Sequence, residues 1–248
     1  MSGKHTIWLH GIHAVEAALA HEPERVLSVM IDAGRNDQRL QALAEQARSQ
    51  GVSVQSGSRK ALDKRVADGR HQGVVAEYRP LPPLGESELL ERVEAARSPL
   101  LLALDGVTDP RNLGACLRTA AAAGALAVIA PRDRAATLTP VARKAASGAA
   151  DIVPFFSVTN LVRALEALKK SGLWVIGADG SAKESLYAQD LRVPLVWVLG
   201  AEGAGLRRLT AKACDLRVRI PIDPSMESLN VSVAAGICLF ETVRQRLS

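Results

Sequence analysis

The second half of the chain alternates short apolar runs with helix-length amphipathic stretches, and that alternation leaves few folds open. LLLALDG (100–106), ALAVIAP (125–131), DIVPFF (151–156), LWVIGA (173–178), VPLVWVLG (193–200) and LRVRIPI (216–222) read as strands. Helices are expected between and after them, at about 112–123, 139–147, 159–171, 206–213 and 229–246. Several of these strands are apolar at successive positions, not at every second one. That is the pattern of strands covered on both faces. Strands of this kind alternating with helices give an α/β fold, a parallel sheet with helices on both faces.

The first 79 residues read as a separate, small α/β module. A helix is expected at 13–20, a strand at 26–32 (VLSVMID), a helix from Asp37 to Gln50, a strand at 52–54, a helix beginning at Ser58 and a strand at 73–79 (GVVAEYR). RPLPPLGES (79–87) follows, where three prolines and a glycine prevent regular structure and stiffen the chain. The expected division is a first domain at 1–79, a Pro-rich linker with a short acidic helix at 80–97, and a second domain at 98–248.

Charge follows the same division. Residues 1–79 hold 11 Lys/Arg against 9 Asp/Glu, residues 80–97 hold 2 against 4, and residues 98–248 hold 18 against 13, within a net charge of +5. A basic surface suits a polyanion, because neutralised phosphates release their counterions. Aromatic residues make up only 3% of the chain, too few for a base-stacking platform. All five histidines lie within the first 71 residues, so the second domain has no His for a triad, a general base or the usual zinc site. Cys116, Cys214 and Cys238 form no CxxC pair and read as buried small hydrophobes; no metal is expected. No apolar run reaches the roughly 18 residues of a membrane span, and the first residues lack a signal core, so a cytoplasmic protein is expected.

Ligands of open α/β sheets bind beyond the carboxyl ends of the strands. Three segments there carry unusual residues. The first, Asp105 to Arg118, holds Asn112 as an expected N-cap, Gly114 as a point of close backbone approach, and Arg118, expected one turn beyond Asn112 and facing the same ligand. It also reads more plainly as a capped helix with a solvated arginine. The second, Leu199-Gly200-Ala-Glu202-Gly203-Ala-Gly205, is a GxxGxG loop and not the GxGxxG of a dinucleotide fold. Its carboxylate would repel phosphate, so the loop suits a ligand that is not strongly anionic, or simply a tight strand–helix turn. In the third, Pro221 and Pro224 force an extended approach, and Ser228 and Asn230 stand where the free N–H groups of the last helix gather. Ser228 also reads as an ordinary N-cap.

The N-x-G-x-x-x-R, L-G-x-E-G-x-G-L and I-P-x-x-x-x-x-S-L-N-V-S segments, in this order and at strand ends, resemble the SpoU-type branch of the SPOUT methyltransferases. HGIHAVEAAL and HQGVVAEY look like the small RNA-binding domain of the bacterial 23S ribosomal RNA guanosine 2′-O-methyltransferases. The resemblance implies a C-terminal trefoil knot, S-adenosyl-L-methionine as cofactor, ribosomal RNA as substrate and a homodimer. It implies cofactor binding by Leu199, Gly200, Gly205, Ile220 and Leu229, and catalysis by Asn112, Arg118, Glu202, Ser228 and Asn230. Arginine is a poor base, since its pKa exceeds about 12. Arg118 is therefore expected to hold phosphate and the developing alkoxide, with the proton acceptor left open. Arg59, Lys60, Lys64 and Arg111 are the expected RNA contacts; Asp63 and Asp68 partly cancel the charge of the first three. Transfer RNA methylases carry the same three motifs, and a non-catalytic RNA-binding protein is the other alternative, although it leaves Glu202, Arg118 and Asn230 without a purpose.

Overall fold

The computed structural model describes residues 6–35, 37–66, 71–80 and 84–247. The chain divides into two compact units, residues 1–82 with 139–144 and residues 83–138 with 145–248. Part of the expected linker, Leu81 to Pro83, lies outside the described residues, as do Asp68 and Arg70 of the basic segment.

The first unit contains β1 (Ile7–His10), α1 (Ile12–His21), β2 (Val26–Asp32), α2 (Gln38–Ser49), β3 (Ser53–Gly57), α3 (Arg59–Asp63) and β4 (Val74–Tyr78). Its sheet runs β1-β4-β2-β3, with β4 antiparallel to β1 and β2, and β2 parallel to β3. Strand side chains alternate between faces. Leu9, Val29, Val74 and Ala76 pack with Val15 and Leu19 of α1 and Leu40 and Leu43 of α2. Met30 and Val75 turn the other way, onto Leu62 of α3. β1 was absent from the sequence reading, yet its four residues obey the same alternation. Ile7 and Leu9 join one core, and Trp8 joins the other, where the Arg65 guanidinium lies 4.4 Å from its ring. Ser58 begins α3 as expected, its Oγ accepting from the Ala61 N–H at 3.3 Å. The helix ends at Asp63, and Lys64 is already its C-cap.

The second unit opens with α4 (Glu86–Ala95) and continues through β5 (Leu100–Asp105), α5 (Pro110–Ala122) and β6 (Ala127–Pro131); after α6 (Pro140–Ala146), most of which counts with the first unit, come β7 (Phe155–Val158), α7 (Leu161–Lys170), β8 (Trp174–Ala178), β9 (Glu184–Ser185), β10 (Leu195–Gly200), α8 (Arg208–Ala213), β11 (Leu216–Arg219) and α9 (Val231–Leu247). The seven strands form a parallel sheet in the order β7-β6-β5-β10-β8-β11-β9. The fully apolar runs of β5 and β10 lie side by side at its centre, Leu100 opposite Leu195 and Asp105 opposite Gly200. The chain leaves β5 toward β6 and β7 but leaves β10 toward the other edge. The crevice between their carboxyl ends is thus a topological switch point.

Two expected strands needed correction, both at prolines. The strand expected at 151–156 runs instead from Phe155 to Val158. It is preceded by a 3-10 turn at Ala149–Asp151, because Pro154 has no N–H for the ladder. The strand expected at 216–222 stops at Arg219, ahead of Pro221. The two-residue β9 was also not expected.

The last helix anchors the centre of the sheet. Trp197 of β10 and Thr242 of α9 are both fully buried, and Trp197 Nε1–H donates to Thr242 Oγ1 at 2.9 Å. Thr242→Val keeps the shape but strands a buried indole N–H. Stability should fall by about 1–3 kcal/mol, read as a lower urea midpoint at unchanged m value, whereas Thr242→Ser should retain most of it.

Candidate active site

An open pocket of about 870 Å³ lies in the second unit at the carboxyl ends of β8 and β10. Its walls are the turn after β8 (residues 178–181), the loop after β10 (199–206), the segment leading to α9 and the start of α9. The loop folds back onto the strand that produced it. Gly205 N–H donates to the Ala201 carbonyl at 2.9 Å. The backbones cross so closely that a Cβ on Gly200 would stand 2.0 Å from the Gly205 carbonyl carbon, and Gly205 itself has φ +64°. Glycine at these two positions is therefore a requirement of the pocket wall, since no side chain fits the first and the second is left-handed.

All five expected cofactor residues, Leu199, Gly200, Gly205, Ile220 and Leu229, line this pocket, together with Glu202 and Ser228. At its edge three segments meet. Glu202 Oε1 accepts from Asn112 Nδ2 at 3.2 Å, from Asn230 Nδ2, and from the Val231 N–H at 3.3 Å. Asn230 Nδ2 also reaches Asn112 Oδ1 at 3.1 Å. The Val231 N–H is one of the free donors of the α9 N-terminus, where the helix dipole favours a carboxylate.

Three local readings are corrected. Asn112 is not the N-cap of α5: Asp109 is, accepting from the Arg111 N–H at 2.8 Å, with Pro110 opening the helix. Asn112 is thereby released to face Glu202. Ser228 does not cap α9. Asn230 does, its Oδ1 accepting from Ser232 N and Oγ at 2.9 and 2.6 Å, while Ser228 stays exposed on the pocket wall. Nor does Arg118 share a face with Asn112. Six residues at about 100° each turn it roughly 120° away around α5. The Asn112–Thr119 line faces α9, with Thr119 Cγ2 3.6 Å from where a Gly236 Cβ would stand. Arg118 falls on the same line as Arg111, and both side chains are exposed with no hydrogen bond or ion pair among the described residues.

Two further links were not anticipated. Asp105, only 1% exposed at the end of β5, accepts from the Arg207 N–H at 2.8 Å and lies 3.4 Å from the Arg207 guanidinium, tying the two loops of the crevice together. A carboxylate ending the run LLLAL was the available signal, since a charge is buried only with a partner. On the pocket wall Asp179 accepts from Ser181 N, Ser181 Oγ and Arg217 Nη1. Burial raises its carboxyl, but the Ser181 hydrogen bonds and the Arg217 guanidinium outweigh that and hold it below the usual carboxylate range.

In the first unit Arg59, Lys60 and Lys64 are exposed. Asp63, one of the acids expected to cancel them, is drawn toward buried His71, whose Nε2 lies 3.1 Å from Asp63 Oδ1. Cys116 and Cys238 are buried as expected, whereas Cys214 is half-buried.

A parallel α/β sheet with a glycine-walled pocket at the carboxyl ends of β8 and β10, next to its switch point, defines a domain that holds a nucleoside-like cofactor beside a polar reaction site. Residues 99–240 match the SpoU rRNA Methylase family, and residues 8–84 match the family of RNA 2′-O ribose methyltransferase substrate-binding domains. The chain belongs to the SpoU rRNA methylase family. It is 54% identical to the 23S rRNA (guanosine-2′-O-)-methyltransferase RlmB of Pseudomonas putida, over 96% of either chain. It is 53% identical to the protein of that name from Haemophilus influenzae, over 96% of this chain and 98% of the other. Among solved structures it is similar to the AdoMet-bound rRNA methyltransferase from Sinorhizobium meliloti, with a TM-score of 0.59 at 25% identity, over 98% of this chain and 88% of that one.

Proposed function

We propose that the chain moves a methyl group from S-adenosyl-L-methionine to the ribose 2′-hydroxyl of a guanosine in 23S ribosomal RNA. The observation that carries this reading is the pocket itself. Its glycine crossing and apolar residues suit an adenosine pressed against backbone, and Glu202 stands on the wall to face a sulfonium cation. When bound, the cofactor supplies an electrophilic methyl group, so the protein's task is to orient and desolvate. Leu199, Gly200, Gly205, Ile220 and Leu229 hold the cofactor. Asn112, Glu202 and Asn230 form the polar wall that orients the ribose, with Ser228 beside them. Arg118, exposed on the other face of α5 beside Arg111, is assigned the adjacent phosphate and the developing alkoxide by the family resemblance alone. Incubating unmodified 23S ribosomal RNA with the protein and S-adenosylmethionine, then mapping ribose methylation, should give one modified guanosine. Methylation confined to transfer RNA, or none, would overturn the reading.

The same reading divides the labour. Residues 1–79 select the RNA through Arg59, Lys60 and Lys64; the second domain, 98–248, carries the chemistry, and its Arg111 also contacts RNA. The C-terminal part of the sheet is tied in a trefoil knot, supported by the way the segment before α9 and the 199–206 loop share one pocket. The protein acts in the cytoplasm. It works as a homodimer, because α9 leaves Val233 (51%) and Phe240 (46%) exposed one above the other. Light scattering should report a dimer, and a stable, active monomer would contradict it.

A further inference from the structure

Asp105 ends β5 directly beside Gly200 of β10, and its carboxylate is buried at 1% exposure. Its two oxygens are served unequally. Oδ2 accepts from the Arg207 N–H at 2.8 Å. Oδ1 is sealed from solvent and has no hydrogen bond; Arg207 Nε lies 3.4 Å away, near enough to balance the charge but not aligned to donate. The guanidinium is folded back onto the strand end, where a Cβ on Gly106 would stand 3.2 Å from Arg207 Nη2. An amide oxygen at position 105 would serve the Arg207 N–H as well, without a charge to bury. A buried carboxylate with one oxygen unmet is destabilising, and a fold keeps such a group where it has a use.

The place of Asp105 in the fold supplies that use. Asp105 is the root of the segment that carries Asn112 to the pocket edge, and Arg207 is the first residue beyond the 199–206 loop that carries Glu202. The near end of that loop is fixed by the crossing of Gly200 and Gly205. Its far end is fixed by Asp105. Neither Asp105 nor Arg207 lines the pocket, so both act only through the residues they hold. At the other end of the same two segments Glu202 meets Asn112 at 3.2 Å. The buried carboxylate thus joins the roots of two segments whose tips form the polar wall. We propose that Asp105 is a positioning residue for methyl transfer, holding the cofactor loop and Glu202 in register with Asn112. Arg207, 47% exposed at its side chain, is the only cation paired with Asp105 among the described residues, and supplies the counter-charge that its burial requires. The proposal rests on the reading of this pocket as the site of methyl transfer.

The test compares Asp105→Asn, Arg207→Gln and the double variant in the full chain. Asp105→Asn keeps an acceptor for the Arg207 N–H but removes the charge; Arg207→Gln leaves the charge buried without its cation. In either single variant the Gly205 amide, bonded to the Ala201 carbonyl, should exchange its hydrogen about tenfold faster. S-adenosylhomocysteine affinity and single-turnover methyl transfer should each fall about tenfold, the range of a hydrogen bond to a charged group, with the KM for RNA unchanged. In the double variant an amide faces an amide and no charge is left unpaired, so all three readouts should return to within about threefold of wild type. A carboxylate that only stabilised the fold would lower the melting temperature and leave all three unchanged in the folded protein. Wild-type exchange and affinity in the single variants, or a double variant no better than Asp105→Asn, would overturn the proposal. If Asp105→Asn does not fold, Arg207→Gln decides by the same readouts. If the wild-type chain binds S-adenosylhomocysteine but methylates no RNA, the function reading falls on its own, and exchange and affinity still decide what Asp105 holds.

Discussion

Gly200→Ala is expected to remove cofactor binding almost entirely. The new methyl group would overlap the Gly205 backbone, 2.0 Å from its carbonyl carbon. Rotamer changes cannot relieve a collision between a Cβ and main chain, so the loop from Ala201 to Leu206 must lift off the end of β10. Forcing extra atoms into a packed site costs about 1–3 kcal/mol or more. Here the movement also carries Glu202 away from Asn112 and Asn230. Calorimetry with S-adenosylhomocysteine should show affinity lowered by at least about 100-fold, where each tenfold is about 1.4 kcal/mol. Circular dichroism should show the rest of the fold intact. An affinity within threefold of wild type would mean that the loop is not the cofactor's wall.

Arg118→Ala should lower methyl transfer by about 10²–10³, the size of effect seen when one donor to a developing oxyanion is removed. S-adenosylhomocysteine affinity should stay within a few-fold, since Arg118 does not line the pocket. Arg118→Lys preserves the charge but loses the planar fork of donors, and most of the activity should go with it. Single-turnover transfer measures the step directly. Wild-type rates in the alanine variant would remove Arg118 from the chemistry. Because its line on α5 is shared with Arg111 and not with Asn112, this experiment also separates two faces of one helix.

The parts of the molecule legible in sequence are those governed by local pattern. The apolar runs at Leu100 and Leu195 announced the two central strands, and the glycines after β10 announced a tight loop. The cap of α5 was misread because Asp109 and Asn112 are both good caps, and only Pro110 between them, favoured at the first helical position, decides for Asp109. Arg118 was misassigned to the face of Asn112 by counting a turn where six residues give one and two-thirds. β1 was missed because four residues are too few for alternation to stand out. The Glu202–Asn112–Asn230 cluster was nameable only as three separate residues. Its hydrogen bonds join positions that the strand order brings together, and strand order is not written in periodicity. The Asp105–Arg207 link is non-local for the same reason.

The Arg246 guanidinium, near the end of α9, donates to the carbonyls of Ser98, Pro99 and Val193, at the entrances of β5 and β10. It closes the sheet at the edge opposite the pocket, and it does so from the last turn of the last helix. Contacts this distant along the chain are slow to form, because the long intervening loop must be closed before they contribute. During synthesis the first unit's sheet has all its strands once Tyr78 has emerged from the ribosome. The second unit has no finished centre until Arg246 has followed. The first unit's sheet is thus expected to form before the second unit is complete, and the pocket only after α9 has emerged.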